Sequence, residues 1–219
     1  MISSLSSSSF KKRRNAIRKM GKIGDSIFIE HLILAFGGDD SWGIRAEAAK
    51  ALGMYDDDRL IEPLIIGTQD ESEFVRAKSI TALGRYDDKS LIEHLIKGTQ
   101  DESEIVRRVS VLELKKYEDH KATIAVLKLL QDKEELVVRC ALFALYSMKK
   151  IEESIEPLLL LYSNENMKPE DRTTAGWILA DFSDERIIAY ATRFKSHRKR
   201  FMRKSAKELL QRLSFKHSL

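Results

Sequence analysis

Five histidines, one cysteine and two tryptophans stand out in this 219-residue chain as residues that could do chemistry. A thiol nucleophile needs a base beside it. Cys140 follows Val137-Val138-Arg139 in an apolar helical pattern, and is expected to be a buried small hydrophobe. His31 and His94 share a column of a repeat described below, two periods apart. With packed helices about 8–10 Å apart, they stand too far from each other to hold one metal ion. His120, His197 and His217 fall in a loop or in basic segments. Trp177 and Asp181 have i, i+4 spacing and share one helix face; the expectation is a core tryptophan and a helix-end cap. No glycine-rich loop has either phosphate-binding spacing. A single cysteine excludes an internal disulfide framework and a multi-cysteine zinc site. The residues therefore predict no catalytic set, no metal and no cofactor.

The elements that position these side chains follow from arginine spacing. Arg45, Arg76, Arg107, Arg139, Arg172 and Arg203 are separated by 31, 31, 32, 33 and 31 residues. Three residues after each the side chain is mostly small (Ala48, Ser79, Ser110, Leu142, Ala175, Ala206). Seven after each it is large (Leu52, Leu83, Leu114, Tyr146, Leu179, Leu210). Gly67-Thr-Gln-Asp-Glu-Ser-Glu-Phe-Val-Arg76 nearly coincides with Gly98-Thr-Gln-Asp-Glu-Ser-Glu-Ile-Val-Arg107, and Arg13 opens a degenerate first copy. Within one copy, Val75, Ser79, Ala82 and Leu83 line one face of a first helix from about Phe74 to Tyr86. A second helix starts near Ser90, where Ser90 and Glu93 have capping-box spacing, and buries Leu91, Ile92, Leu95 and Ile96. It is expected to end at Gly98 in a left-handed stop. Asp70 and Asp101, each six residues before the next arginine, suit helix caps and a ladder of ion pairs between copies. Gly53 and Gly84 read as helix-end residues. A 31-residue helical hairpin cannot bury its apolar face alone, whereas stacked neighbours can. The fold class is therefore all-α: an α-solenoid of about six helical hairpins.

These columns, Val-Arg-x-x-small-x-x-Ala-Leu-Gly, then Asp-Asp, then Leu-Ile, from roughly Arg13 to Leu213, resemble the HEAT-like repeat of the phycobilisome (phycocyanobilin) lyases. The resemblance implies antiparallel helix pairs in a right-handed superhelix, with the second helices lining a concave face. It does not fix an activity, because fold does not imply function. Deoxyhypusine hydroxylase, of similar repeat type, binds iron through His-Glu pairs just after the helix-start arginine. Here those positions hold Ala46, Ala77, Arg108, Cys140, Thr173 and Lys204, so that chemistry does not carry over. HEAT-like DNA glycosylases use an aromatic and a carboxylate on a basic concave surface. Trp177 and Asp181 match that spacing, but the body of this chain is acidic.

Charge is sorted along the chain. Residues 1–23 hold seven basic residues and no acid, residues 193–219 are net +9, and residues 24–192 are net −12. One expected role for the ends is polar capping of the solenoid. Another is contact with phosphates through the N-terminal patch Lys11, Lys12, Arg13, Arg14, Arg18 and Lys19, and the C-terminal patch Arg198, Lys199, Arg200, Arg203 and Lys204. A third is pairing of the basic ends with the acidic body of another copy. On the second helices Glu30, Glu62, Glu93 and Glu156 fall at equivalent first-turn positions, which also suit the helix dipole. With Lys97 and Lys128 they form the expected partner-binding set of the concave face. The leading expectation is a non-enzymatic scaffold for a protein or peptide, with nucleic-acid binding as the alternative and catalysis a distant third.

The expected organisation is a Ser-rich N-terminus over 1–10 and a repeat solenoid over 11–213. The solenoid divides into a degenerate first repeat over 11–40, clear repeats from about 41 and a basic capping repeat over 193–213; a tail follows over 214–219. Met1–Phe10 lacks the apolar stretch of a secretory leader, and no apolar run is long enough for a bilayer; a cytoplasmic location is expected.

Overall fold

The computed structural model describes residues 1–148, 150–182 and 184–216, with side chains up to residue 214. Among the described residues there are thirteen α-helices and no strand. First helices are α1 (Phe10–Ile23), α3 (Trp42–Leu52), α5 (Glu73–Leu83), α7 (Glu104–Leu114), α9 (Glu135–Ser147), α11 (Pro169–Leu179) and α13 (Arg200–Lys216). They alternate with second helices α2 (Ile29–Gly38), α4 (Ile61–Gly67), α6 (Ile92–Gly98), α8 (His120–Lys128), α10 (Ile155–Ser163) and α12 (Glu185–Phe194). Of the expected tail 214–219, residues 214–216 complete α13, and 217–219, with His217, lie outside the described residues.

The chain divides into two compact units, Met1–Glu113 and Leu114–Leu219. In the first unit α3 packs on α1, α2 and α5, so it is buried almost all round: Ile44, Arg45, Ala46, Ala48, Ala49, Ala51 and Leu52 are all buried. Its alanines let the neighbouring helices approach, while Ile17, Met20, Leu32, Leu60, Leu64, Val75 and Leu83 fill the core. Each such large apolar side chain contributes about 1.5–3 kcal/mol on burial.

Neighbouring hairpins are also joined by arginines. Arg45 donates through Nε and Nη2 to both carboxylate oxygens of Asp70 at 2.8 and 2.9 Å. Arg76 does the same to Asp101, at 2.8 Å twice. Each Nη1 donates backwards to the carbonyl at the start of its own hairpin, Asp39 for Arg45 at 3.0 Å and Asp70 for Arg76 at 2.9 Å. The Oδ1 of Asp70 also accepts from the Ser72 N–H at 2.8 Å. Asp70 is thus at once the turn former of one hairpin and the partner of the previous hairpin's arginine. Burial pushes its carboxyl up, but the Arg45 guanidinium and the Ser72 N–H outweigh that and hold it below its ordinary value. Arg13 and Asp39 repeat the pairing at 2.8 Å, so the degenerate first copy keeps the joint. A tyrosine column adds to it: Tyr55 and Tyr86 donate to the carbonyls of Met20 and Asp57 in the preceding hairpins, at 2.9 and 3.0 Å.

Several local expectations need correction. The first helix of the clear copy is Glu73–Leu83, with Ser72 at its N-cap. Asp88 caps the short turn that precedes the second helix, accepting from the Ser90 N–H at 2.8 Å. That turn, over Lys89–Leu91, leads into α6, so Ser90 is not the cap. Gly98 is not left-handed, since the positive-φ glycine among the described residues is Gly24 at φ 70°. Gly98 is required by packing: a Cβ there would meet Ser110 Oγ at 2.2 Å. Gly53 is likewise a close approach, with a Cβ falling 2.8 Å from that of Ala82 in the next hairpin.

The fourth copy is shifted by one residue. Ala141 and Leu145 fill the small and large core positions, and Tyr146, expected in the large column, is 51% exposed. The arginine moves with the shift. The Arg139 side chain is 41% exposed and pairs with Asp171 at 3.1 Å. In the fifth copy Arg172 is fully buried, but its own turn is formed by Asn164 and the residue 25 after it is His197, where the copies of Arg45, Arg76 and Arg107 have aspartates. Its Nη2 reaches the Asn164 carbonyl, while Nε and Nη1 are buried without a hydrogen-bond partner. The guanidinium lies between the rings of Tyr162 and Phe201, 5.6 and 5.3 Å from their centroids, and burial lowers its pKa.

Candidate partner surface on the second helices

Glu30, Glu62 and Glu93 sit in the first turns of α2, α4 and α6, all exposed. Lys97 is exposed in the last turn of α6, and Ile66 is 64% exposed on α4. The reason is the helix period: Leu64, Leu95 and Leu32 turn inward, which leaves the first-turn carboxylates on the solvent side. In the second unit Lys128 is exposed at the end of α8 and Glu156 at the start of α10. Glu30 and Glu156 each face an arginine at the start of the next hairpin's second arm. Arg59 Nη1 lies 3.7 Å from Glu30, and Arg186 Nη1 lies 2.9 Å from Glu156. Each arginine is anchored by the aspartate two residues before it, Asp57 at 2.6 Å and Asp184 at 2.7 Å, and holds that carboxyl below its ordinary value. Sequence reasoning missed these arginines, although the Asp-x-Arg spacing was visible in both copies.

The basic ends are partly engaged within the chain. Arg14 and Arg18 both pair with Glu47, at 2.9 and 3.0 Å. Burial would raise the Glu47 carboxyl, but the two arginines outweigh it and hold it down. Lys11, Lys12 and Lys19 stay exposed on α1. Near the C-terminus, Lys199, Arg198 and His197 converge on Glu165 at 3.1, 3.3 and 3.2 Å, and pull its carboxyl down to about 2. Arg203 donates to the carbonyls of His197 and Arg198 at 2.7 and 2.8 Å, in the manner of the ladder arginines. Lys204 lies 3.8 Å from Glu208, and Arg200 is exposed.

The residues weighed for catalysis are scattered. Cys140 is half-buried, not buried, because the one-residue shift of the fourth copy rotates it off the core face. Trp177 is 38% exposed and so is not a core residue; Asp181 lies 3.9 Å from Lys150. His31 and His94 are half-buried on α2 and α6, and His120 pairs with Glu153 at 3.1 Å. Among the described residues no three His, Cys, Asp or Glu side chains converge as a metal set. A cleft of about 570 Å³ among α9, α10 and the loop before α11 contains Glu135, Lys168 and Asp171. Its charges are already paired, Lys168 with Glu135 at 2.5 Å and Arg139 with Asp171.

The geometry is that of stacked helical hairpins, and the sequence matches the family of HEAT repeats over residues 1–76 and 61–145. The chain belongs to the HEAT-repeat family. No curated protein is similar enough in sequence to count as a match. Among solved structures, the complex of CpcE and CpcF of phycocyanin lyase from Nostoc sp. PCC7120 is similar, with TM-score 0.58 and 18% identity over 98% of this chain and 92% of that one. Human deoxyhypusine hydroxylase is similar at TM-score 0.51 and 16% identity, over 98% of this chain and 83% of that one. An engineered protein reaches TM-score 0.59 at 16% identity, over 97% of this chain and 67% of that one. At these identities the likeness is one of fold, and the HEAT-like repeat of the phycocyanin lyases is the type the sequence columns resemble. Among the described residues no helix is long and apolar enough to cross a membrane.

Proposed function

We propose that this HEAT-repeat protein is a non-enzymatic cytoplasmic scaffold that binds a basic protein or peptide segment on its second helices. One observation carries the reading. Glu30, Glu62 and Glu93 recur at equivalent exposed positions of α2, α4 and α6, away from the ladder in which Arg45 pairs with Asp70 and Arg76 with Asp101. Lys97 and Ile66 beside them differ from copy to copy and select among partners; Lys128 and Glu156 are the counterparts in the second unit. The mechanism is presentation of a rigid, periodic surface, and no reaction is assigned to it. The test is affinity capture from the native lysate with wild type and a Glu62→Lys/Glu93→Lys variant. The interaction is then remeasured with the purified partner. Loss of the partner in the variant is expected; recovery of the same partners by both proteins overturns the assignment.

A second reading is contact of the basic ends with nucleic acid. It is favoured by Lys11, Lys12 and Lys19, which stay exposed on α1 while the arginines around them are paired. A gel shift at two salt concentrations tests it, because phosphate contacts weaken steeply with salt.

A further inference from the structure

The exposed side of the first helices in the second unit carries a row of aromatic rings that the repeat does not need. Phe143 and Tyr146 on α9 and Trp177 on α11 are 56, 51 and 38% exposed. Phe143 and Trp177 occupy the position held in the first unit by Lys50 and Thr81, also exposed but not aromatic. Each ring has a cation over its face. Lys115 Nζ is 4.4 Å from the Phe143 centroid, Lys150 Nζ is 5.6 Å from that of Tyr146, and the Arg212 guanidinium is 4.8 Å from that of Trp177. Tyr146 and Trp177 lie 6.4 Å apart, which continues the row from α9 to α11. Between α11 and α13 the surface opens into a groove of about 750 Å³, walled by Trp177 and Phe201 and bordered by Lys204 and Arg212. Two carboxylates line that groove, Glu170 and Glu208; Glu208 faces Lys204 at 3.8 Å, and Asp181, near the row, faces Lys150 at 3.9 Å. Residues 193–219, which include α13, are net +9.

Exposed rings alternating with cations match one ligand chemistry better than others. Unpaired bases offer π faces for stacking, and their phosphates need cations close to the rings. A duplex keeps its base faces stacked internally and would leave the rings unused. An acidic peptide would engage the cations but not the rings. We propose that this face binds single-stranded nucleic acid, with bases on Phe143, Tyr146 and Trp177 and phosphates on Lys115, Lys204 and Arg212. The surface is separate from the glutamates of the second helices, so either assignment can fail without the other.

The test uses the full chain and a fluorescein-labelled oligothymidylate of about 20 nucleotides, followed by anisotropy at about 50 and 300 mM KCl. The expected result is binding at low salt, preference over a duplex of equal length, and loss of about tenfold or more in affinity for Tyr146→Ala/Trp177→Ala. The Lys11→Gln/Lys12→Gln/Lys19→Gln variant is expected to bind as wild type. No binding at low salt, equal binding of duplex, displacement by polyglutamate as effective as by unlabelled oligonucleotide, or loss confined to the α1 lysine variant would each overturn the proposal. Should the aromatic variant fail to fold, a Trp42→Phe protein leaves Trp177 as the sole tryptophan. Its emission is expected to be quenched by the oligonucleotide, and an unchanged spectrum at saturation overturns the assignment equally.

Discussion

Arg172 and Arg76 carry the same side chain in the same column, but their surroundings differ. Arg76 has a two-pronged partner in Asp101, whereas Arg172 is buried with two nitrogens unsatisfied. Removing a paired, mostly buried cation strands its carboxylate, at a cost of about 3 kcal/mol, while replacing an ill-paired one by an apolar group of similar size is near neutral. Arg76→Met is therefore expected to lower the urea midpoint clearly and Arg172→Met to change it little, as followed by circular dichroism. The Glu165 cluster gives a pH prediction. Its carboxyl is at about 2 in the fold against an ordinary 4.5, held down by Lys199 and Arg198. A depressed folded pKa gives stability that is fully present above the ordinary value and is lost as pH falls towards 2. Unfolding measured from pH 6 to pH 2 should show a shallower loss for Glu165→Gln than for wild type. None of this was legible from the columns alone, because an aligned arginine says nothing about what fills the partner's place 25 residues later.

At the scale of elements, hairpin joints depend on two kinds of glycine. Gly24 ends α1 at φ 70°, a conformation that costs an L-residue roughly 1 kcal/mol. Gly24→Ala should therefore lower thermal stability by about that amount, and Gly24→Asn by less. Gly53 has ordinary helical angles but touches Ala82 of the next hairpin. Gly53→Ala should cost about 1–3 kcal/mol through overpacking. Combined with Ala82→Gly, the loss should fall short of the sum of the single losses, a coupling that a double-mutant cycle measures. The sequence marked Gly53 as a helix end and did not single out Gly24. It could not say which was chosen for backbone angle and which for the lack of a Cβ, because only the packed neighbour distinguishes them.

For the whole molecule, stability in a repeat protein is approximately a sum over units and their interfaces, so terminal helices with a neighbour on one side open first. Hydrogen exchange should find α1 and α13 exchanging ahead of α3 and α5; uniform exchange along the chain would contradict this. The period itself was legible because it is written in local residue types: small and large apolar positions at helical spacing, an arginine at each start, an aspartate at most turns. Those features set helix pairs and their order without any distant information. The candidate surfaces were half legible. That the glutamates of α2, α4 and α6 are exposed follows from the helical period alone. That Arg59 and Arg186 reach two of the four glutamates, that Arg14 and Arg18 are spent on Glu47, and that Tyr146 and Trp177 stand in solvent depended on a one-residue shift and on contacts across hairpins. Helical periodicity is a property of a segment and survives in the sequence. Exposure and ion pairing are properties of what lies opposite a side chain, and only the packed fold decides that.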